Sequence, residues 1–198
     1  MIKIMKKLFI FLFLLNLLTG NSHSIEPDVF VQSTVNRASA ILSKNISKEE
    51  KINQLKVIAK DTVDIKGIGF YSLGSARKNL DDNQKKKYLE FFEDYFLKSF
   101  SSRLSEYSNP KIDVQDKDVL NKNYTIVKSI LIATSERPEI KIDWRVYTKN
   151  PDNPLIRDLI IEGLSLARTQ KEEFESILNS NDGDINALYE ALKKFANS

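Results

Sequence analysis

Apolar residues recur at every third or fourth position in four segments of the first half of the chain, a spacing that is typical of helices with one buried face. Ser47, followed three residues later by Glu50, has the spacing of a capping box at the start of the second segment. Asn109 and Pro110 end the fourth segment. The pattern predicts helices over residues 27–43, 47–63, 65–78 and 81–107.

Three glycines interrupt the third predicted helix, at Gly67, Gly69 and Gly74. Each weakens a helix by roughly 1 kcal/mol relative to alanine. Their clustering predicts either a close approach of this segment to a neighbouring backbone or side chain, or a local break in the helix.

Alternation of apolar and polar residues replaces the helical period after residue 110. The clearest case is 140–146, where Ile142, Trp144 and Val146 share one face and charged residues occupy the other. The predicted strands cover residues 111–119, 124–134, 140–146 and 155–162. Short turn-rich connections between them favour antiparallel pairing.

The helical period returns after Gly163, and the break NSNDGD separates two C-terminal helices. We therefore predict an α+β fold in which an antiparallel sheet of about four strands is wrapped by helices, with a C-terminal helical pair. Neither a repeat nor a linker interrupts residues 25–198, which are expected to form a single domain.

The N-terminus has the layout of a secretory signal peptide. MIKIMKK is basic, LFIFLFLLNLL is apolar, and TGNSHS is polar with small residues. The apolar run is too short to cross a hydrocarbon core of about 30 Å. Cleavage is expected after Ser24, with Gly20 as the second choice and a retained anchor as the alternative. The absence of cysteine excludes a lipid-anchored lipoprotein.

Removal of residues 1–24 changes the charge and the chemistry of the chain. It takes three lysines from a total of 30 basic residues, so that 27 remain against 27 acidic ones. A neutral domain lacks the positive field of a nucleic-acid-binding protein. The only histidine, His23, leaves as well, and the chain has no cysteine. Ser-His-Asp triads, thiol nucleophiles, Cys/His zinc sites and disulfides are therefore excluded. Carboxylate pairs such as Asp81 and Asp82 are better explained as helix caps.

Seven aromatic residues lie between positions 87 and 107, and they step by three or four along one face. Such a stripe usually packs in the core, and a filled core would suit a structural or adaptor protein. The alternative is an apolar cavity between this helix and the sheet that binds a small hydrophobic ligand. From the spacing alone, core packing is the better interpretation.

The order of segments resembles the MlaC family, the toluene-tolerance family of phospholipid-binding proteins in the Mla lipid-transport system. The stretches that carry the resemblance are DIKGIGFYSLGSARKNLDDNQKKKYLEFFEDYFLKSFSSRLSEY, IDWRVY, LIRDLIIEGLSLARTQKEEFESIL and DGDINALYEAL. The residues at family positions are Leu73, Gly74, Phe91, Phe92, Phe96, Tyr107, Trp144, Asp158, Glu162, Gly163 and Ser165. The aromatic residue that often follows Leu-Gly in the family is replaced here by Ser75.

The resemblance implies a cone-shaped fold with a deep apolar pocket for both acyl chains of a glycerophospholipid. With that pocket, the aromatic helix is expected to pack its end rings on the sheet and to turn its central rings towards the acyl chains. It also implies a monomeric periplasmic carrier that binds no nucleic acid and maintains outer-membrane lipid asymmetry. Its partners would be an outer-membrane lipoprotein complex and an inner-membrane complex of an MCE-domain protein and an ABC transporter. The phospholipid is cargo, so no cofactor and no enzymatic activity are expected.

Stripe and strand parity supply the candidate lipid-binding residues. They are Phe70, Leu73, Phe92, Tyr95, Phe96, Phe100, Ile130, Ile142, Trp144, Val146, Leu159 and Ile161. Asp158 and Glu162 are expected to fix the strand-to-helix turn. The alternative function is a small secreted enzyme with an Asp or Tyr as acid or base, which a pocket of a few hundred Å³ with a buried carboxylate would favour.

Overall fold

The computed structural model describes residues 24–198. The predicted signal peptide, apart from Ser24, lies outside these residues. A short 3-10 helix, Gly74–Asn79, follows the third α-helix. The α-helices are α1 Pro27–Leu42, α2 Lys48–Thr62, α3 Ile65–Ser72, α4 Asp82–Leu104, α5 Leu166–Asn179 and α6 Ile185–Asn197.

The strands form one antiparallel sheet in chain order, β1 to β5. This arrangement confirms the α+β class, the antiparallel sheet and the C-terminal pair of helices. The sequence pattern missed β5 because two residues are too few to show alternation. The strands are β1 Ile112–Asn121, β2 Tyr124–Leu131, β3 Ile140–Tyr147, β4 Leu155–Ile161 and β5 Leu164–Ser165.

Side-chain caps fix where several helices begin. Ser47 accepts a hydrogen bond from the backbone N–H of Glu50 at the start of α2. Asp81 and Gln84 form a complete capping box at the start of α4. These caps satisfy backbone N–H groups that have no partner within the helix, which is why the predicted starts agree with the observed ones.

The glycines of α3 serve both of the purposes that their clustering predicted. A Cβ atom on Gly69 would lie 2.8 Å from Cδ1 of Phe92, so only glycine allows α3 to approach α4 this closely. Gly74 has a φ of 55°, in the left-handed region that favours glycine. It ends α3 and starts the 3-10 helix, so the predicted helix 65–78 is broken.

Helix α4 packs against α2, α3 and α6. The hydroxyl of Tyr88 donates to the carbonyl of Gly69 at 2.9 Å, and the ring of Phe91 lies 5.4 Å from that of Tyr189 on α6. Rings near the N-terminal end of α4 were expected to pack on the sheet. That expectation is wrong, because they pack on α3, α5 and α6 instead. None of the helices between residues 24 and 198 is long and apolar enough to cross a membrane.

Candidate functional site

A cavity of about 360 Å³ lies between α4 on one side, β3 and β4 on another, and the C-terminal helices α5 and α6. Most of the side chains around it are apolar. Its apolar lining consists of Val63, Ile68, Phe92, Tyr95, Phe96, Phe100, Trp144, Ile156, Leu159, Leu166, Ala167, Phe174, Ile177, Ala191, Leu192 and Phe195. Such a site binds ligands by removing apolar surface from water.

Helix α4 contributes an aromatic wall to this cavity. The rings of Phe96 and Phe100 are stacked, with centroids 5.6 Å apart and planes 9° apart. Phe92 is buried and meets the edge of Phe174 from α5 at 6.1 Å. The wall is fully enclosed at Phe92 and only partly buried at Phe96 and Phe100.

Trp144 forms the floor of the cavity on β3, and its orientation is fixed by a hydrogen bond. The indole Nε1–H donates to Oγ of Ser129 at 2.8 Å, and that hydroxyl donates to the carbonyl of Ile142 at 2.9 Å. The one polar atom of the indole is thereby satisfied within the sheet. The apolar surface of the ring is left to face the cavity.

Polar side chains gather at one side of the cavity, on the facing turns of α4 and α5. Arg103 and Glu173 are the charged members, and Ser99, Thr169 and Gln170 lie beside them. Tyr95 donates to Oε1 of Gln170 at 2.6 Å, and Gln170 donates to Oε2 of Glu173 at 2.9 Å. Burial, together with the nearby carboxylate of Glu173, raises the pKa of Tyr95, so the phenol remains a neutral donor. This group of residues is called the rim below.

Asp158 is the buried carboxylate of the cavity lining. Its Oδ1 accepts from the backbone N–H of Ala167 at 2.9 Å, and its Oδ2 accepts from the hydroxyl of Ser165 at 2.6 Å. Arg145 lies 3.6 Å from the same Oδ2. Since both oxygens are occupied where β4 leads into α5, Asp158 fixes this turn, in agreement with the expectation from the sequence.

Half of the twelve candidate residues line the cavity, and the other half do not. The lining residues are Phe92, Tyr95, Phe96, Phe100, Trp144 and Leu159. The residues outside the lining are Phe70, Leu73, Ile130, Ile142, Val146 and Ile161. Lipid contact by either group remains a prediction.

The pairing of β2 with β3 explains why Ile130 lies outside the lining. Ile130 pairs with exposed Lys141, whereas its neighbour Ser129 bonds to Trp144, so Ile130 lies on the opposite face of β2. The assignment of Ile130 to the inward face is therefore wrong. Strand β2 has apolar residues at both parities, so alternation did not determine its faces.

Ile142, Val146 and Ile161 lie on the same face of the sheet as Trp144 but outside the lining, and the other two candidates lie on α3 or just after it. Leu73 and Val146 are fully buried in the core. Ile142 pairs with Ile161 one step further along the sheet from Trp144. Phe70 is half-buried, and its ring lies 5.7 Å from the guanidinium of Arg77.

The sequence prediction of the site omitted every residue of α5 and α6. Phe174, Ile177, Leu192 and Phe195 lie on the apolar faces that the helical period gives to the two C-terminal helices. Periodicity gives the apolar face of a helix but not the element that it covers. Only the packing of α5 and α6 beside α4 shows that these faces close the cavity.

Groups of three or more His, Cys, Asp or Glu that could hold a metal ion do not occur among residues 24–198.

Known proteins are similar to this chain in sequence and in fold. Residues 32–194 match the family model of the MlaC protein. The chain is 23% identical over 166 residues to the "Intermembrane phospholipid transport system binding protein MlaC" of Haemophilus influenzae, which covers 80% of this chain and 77% of that protein.

The fold is also similar to that of a solved protein. The TM-score is 0.72 with a phospholipid-binding protein from Ralstonia solanacearum, solved in complex with a phospholipid. The match covers 87% of this chain and 97% of the other, at 16% sequence identity. At this identity the likeness shows a shared fold.

Proposed function

This chain belongs to the MlaC family, and on that premise we propose that it carries a glycerophospholipid between membranes. The acyl part of the lipid enters the cavity bounded by α4, β3, β4, α5 and α6. The headgroup lies at the rim, where Arg103 and Glu173 offer one charge of each sign. Hydrophobic transfer supplies most of the affinity.

The observation that carries this proposal is the apolar cavity faced by Phe96, Phe100 and Trp144. Each methylene that leaves water contributes about 0.8 kcal/mol, so a single acyl chain supplies on the order of 10 kcal/mol. The same free energy is recovered when the chain enters a bilayer or an apolar channel of a partner. Transfer to an acceptor is therefore not steeply uphill, as a shuttle requires.

The enzyme alternative made a specific demand, namely a pocket of a few hundred Å³ with a buried carboxylate. The volume of about 360 Å³ and the burial of Asp158 meet that description. The hydrogen bonds of Asp158 to Ala167 and Ser165 nevertheless occupy both oxygens with structural donors. Tyr95, with its raised pKa, is a poor base at neutral pH. These two side chains favour the carrier.

We further propose that the carrier is a periplasmic monomer released from its signal peptide. Its partners would be an outer-membrane lipoprotein complex and an inner-membrane complex of an MCE-domain protein with an ABC transporter. The curated relative's place in an intermembrane transport system supports this. A chain with 27 acidic and 27 basic residues after residue 24 suits a protein that must leave each partner.

Native mass spectrometry of protein purified from the periplasm of a bacterial host tests the proposal. The expected spectrum shows an adduct with the mass of a diacyl phospholipid, which dissociates as intact lipid. Protein that never carries phospholipid, even after incubation with vesicles of phosphatidylethanolamine and phosphatidylglycerol, would contradict it. Loss of the adduct after removal of lipid by detergent, and its return with vesicles, would show reversible loading.

A further inference from the structure

A second cavity, of about 280 Å³, lies beside the first. Ile68 on α3 and Ala167 on α5 line both cavities, so the wall between the two is one side chain thick at this point. Arg145, which lines the second cavity, lies 3.6 Å from its cross-strand neighbour Asp158, a residue that lines the first. The remaining lining of the second cavity is Gly67, Tyr71, Leu120, Tyr124 and Arg157.

The first cavity is small for the proposed cargo. An apolar cavity of about 150 Å³ holds benzene, which sets a scale of roughly 25 Å³ per carbon atom. On that scale the first cavity, at about 360 Å³, accommodates on the order of fourteen carbon atoms, or one acyl chain. The second cavity, at about 280 Å³, adds on the order of eleven. Together the two cavities approach the volume of two acyl chains.

Exposed apolar side chains mark the second cavity as incompletely covered. Leu120 is 53% exposed and Tyr71 is 48% exposed, and both belong to its lining. The guanidinium of Arg157 is bound by Asp64 and packs 3.7 Å from the ring centroid of Tyr147. With that charge neutralised, the cavity presents mainly apolar surface, which an apolar ligand would cover.

We propose that Ile68 is a movable partition, and that the end of one acyl chain passes it into the second cavity and covers Leu120 and Tyr71. Ala167, the other residue that lines both cavities, has a small side chain, so Ile68 is the larger of the two obstacles between them. The second cavity thereby determines the length of acyl chain that the protein accepts. This inference rests on the proposed function, since it concerns the same cargo.

A competition between chain lengths tests the proposal. Delipidated protein is incubated with vesicles containing equal amounts of dimyristoyl and distearoyl phosphatidylethanolamine, and the bound lipids are quantified by mass spectrometry. Leu120→Asp places a charge in the second cavity without touching the first. Each methylene that loses its apolar site reduces retention by about fourfold. We therefore expect Leu120→Asp to lower the ratio of distearoyl to dimyristoyl lipid at least fourfold.

Val119→Asp is the matched control, because Val119 is the adjacent residue, is 73% exposed and lies outside both linings. The ratio of distearoyl to dimyristoyl lipid bound by Val119→Asp should equal that of the wild type. Ile68→Ala should raise the ratio, whereas Ile58→Ala, a buried isoleucine outside both linings, should leave it unchanged. If Leu120→Asp and Ile68→Ala still bind lipid and both show the wild-type ratio of distearoyl to dimyristoyl lipid, the role of Ile68 as a partition is overturned, while the carrier function stands. A wild-type protein that binds neither lipid would overturn the carrier function as well.

Discussion

At the residue scale, the cavity depends on apolar side chains that water would otherwise surround. Phe96 lines the cavity at the middle of the aromatic wall, and it is partly buried rather than locked in the core. A carboxylate at this position would have to lose its hydration whenever an acyl chain enters, at a cost of several kcal/mol. We expect Phe96→Asp to fold and to lose at least 90% of its bound phospholipid, as measured by native mass spectrometry.

Phe91→Asp provides the control on the same helix. Phe91 contacts Tyr189 and lies outside the cavity lining, with the ammonium of Lys193 4.7 Å from its ring. An aspartate there can pair with Lys193, so lipid content should remain close to that of the wild type. Equal lipid loss in both variants would show that destabilisation, not the cavity, is responsible.

Ser129 is the residue that orients Trp144. In Ser129→Ala the indole N–H loses its acceptor in a buried site, which costs about 1–3 kcal/mol. Urea denaturation should show this loss. Ser72→Ala is the control, since the Ser72 hydroxyl donates only to a carbonyl of its own helix, and its removal should cost less than 1 kcal/mol by the same principle. Equal stabilities of the two variants would contradict the role of Ser129.

At the element scale, Asp64 joins a helix to the sheet. Its carboxylate accepts from the backbone N–H of Gly67 at 2.8 Å as the N-cap of α3, and from Nε of Arg157 on β4 at 2.6 Å. Asp64→Ala therefore removes a cap and leaves a half-buried guanidinium without its carboxylate partner. We expect a loss of about 2–4 kcal/mol in the free energy of unfolding.

Ser47→Ala is the control that separates the capping role of Asp64 from its bond with Arg157. Ser47 caps α2 in the same manner but is exposed and joins no strand. Its loss should cost about 1 kcal/mol. If denaturant curves gave the same cost for both caps, the bond from Arg157 would contribute nothing to the stability of the protein.

Helix α6 closes the cavity next to the rim. The ring of Phe195 lies 4.9 Å from that of Tyr95 and is 40% exposed, so it shields the cavity without belonging to the core. Phe195→Ala should raise the rate of transfer of a fluorescent phospholipid to acceptor vesicles several-fold, with little change in stability. Phe30→Ala, on α1 and outside the lining, is the control. An unchanged transfer rate would show that lipid leaves by another route.

At the scale of the whole molecule, sequence patterns predicted the elements better than their mutual placement. The aromatic residues of α4 step by three or four, the strand containing Trp144 alternates apolar and charged residues, and both elements contribute to the cavity. Phe195 and Phe174 were missed because their positions depend on how two distant helices return to α4. Ile130 was misplaced because β2 is apolar on both faces. The family resemblance indicated a pocket, but only three-dimensional packing distinguishes its lining from the core behind it.

The central claim is that acyl chains lie against Trp144, and the sequence offers a direct measurement because this is the only tryptophan. Bromine atoms on an acyl chain quench indole fluorescence only at close contact. Delipidated protein should be loaded with phosphatidylcholine carrying dibrominated chains, or with the unbrominated lipid, and separated from vesicles. We predict that the brominated lipid quenches most of the fluorescence of Trp144 relative to the unbrominated lipid. Equal fluorescence from the two loaded samples would contradict the account, because the bound lipid would then lie outside the cavity.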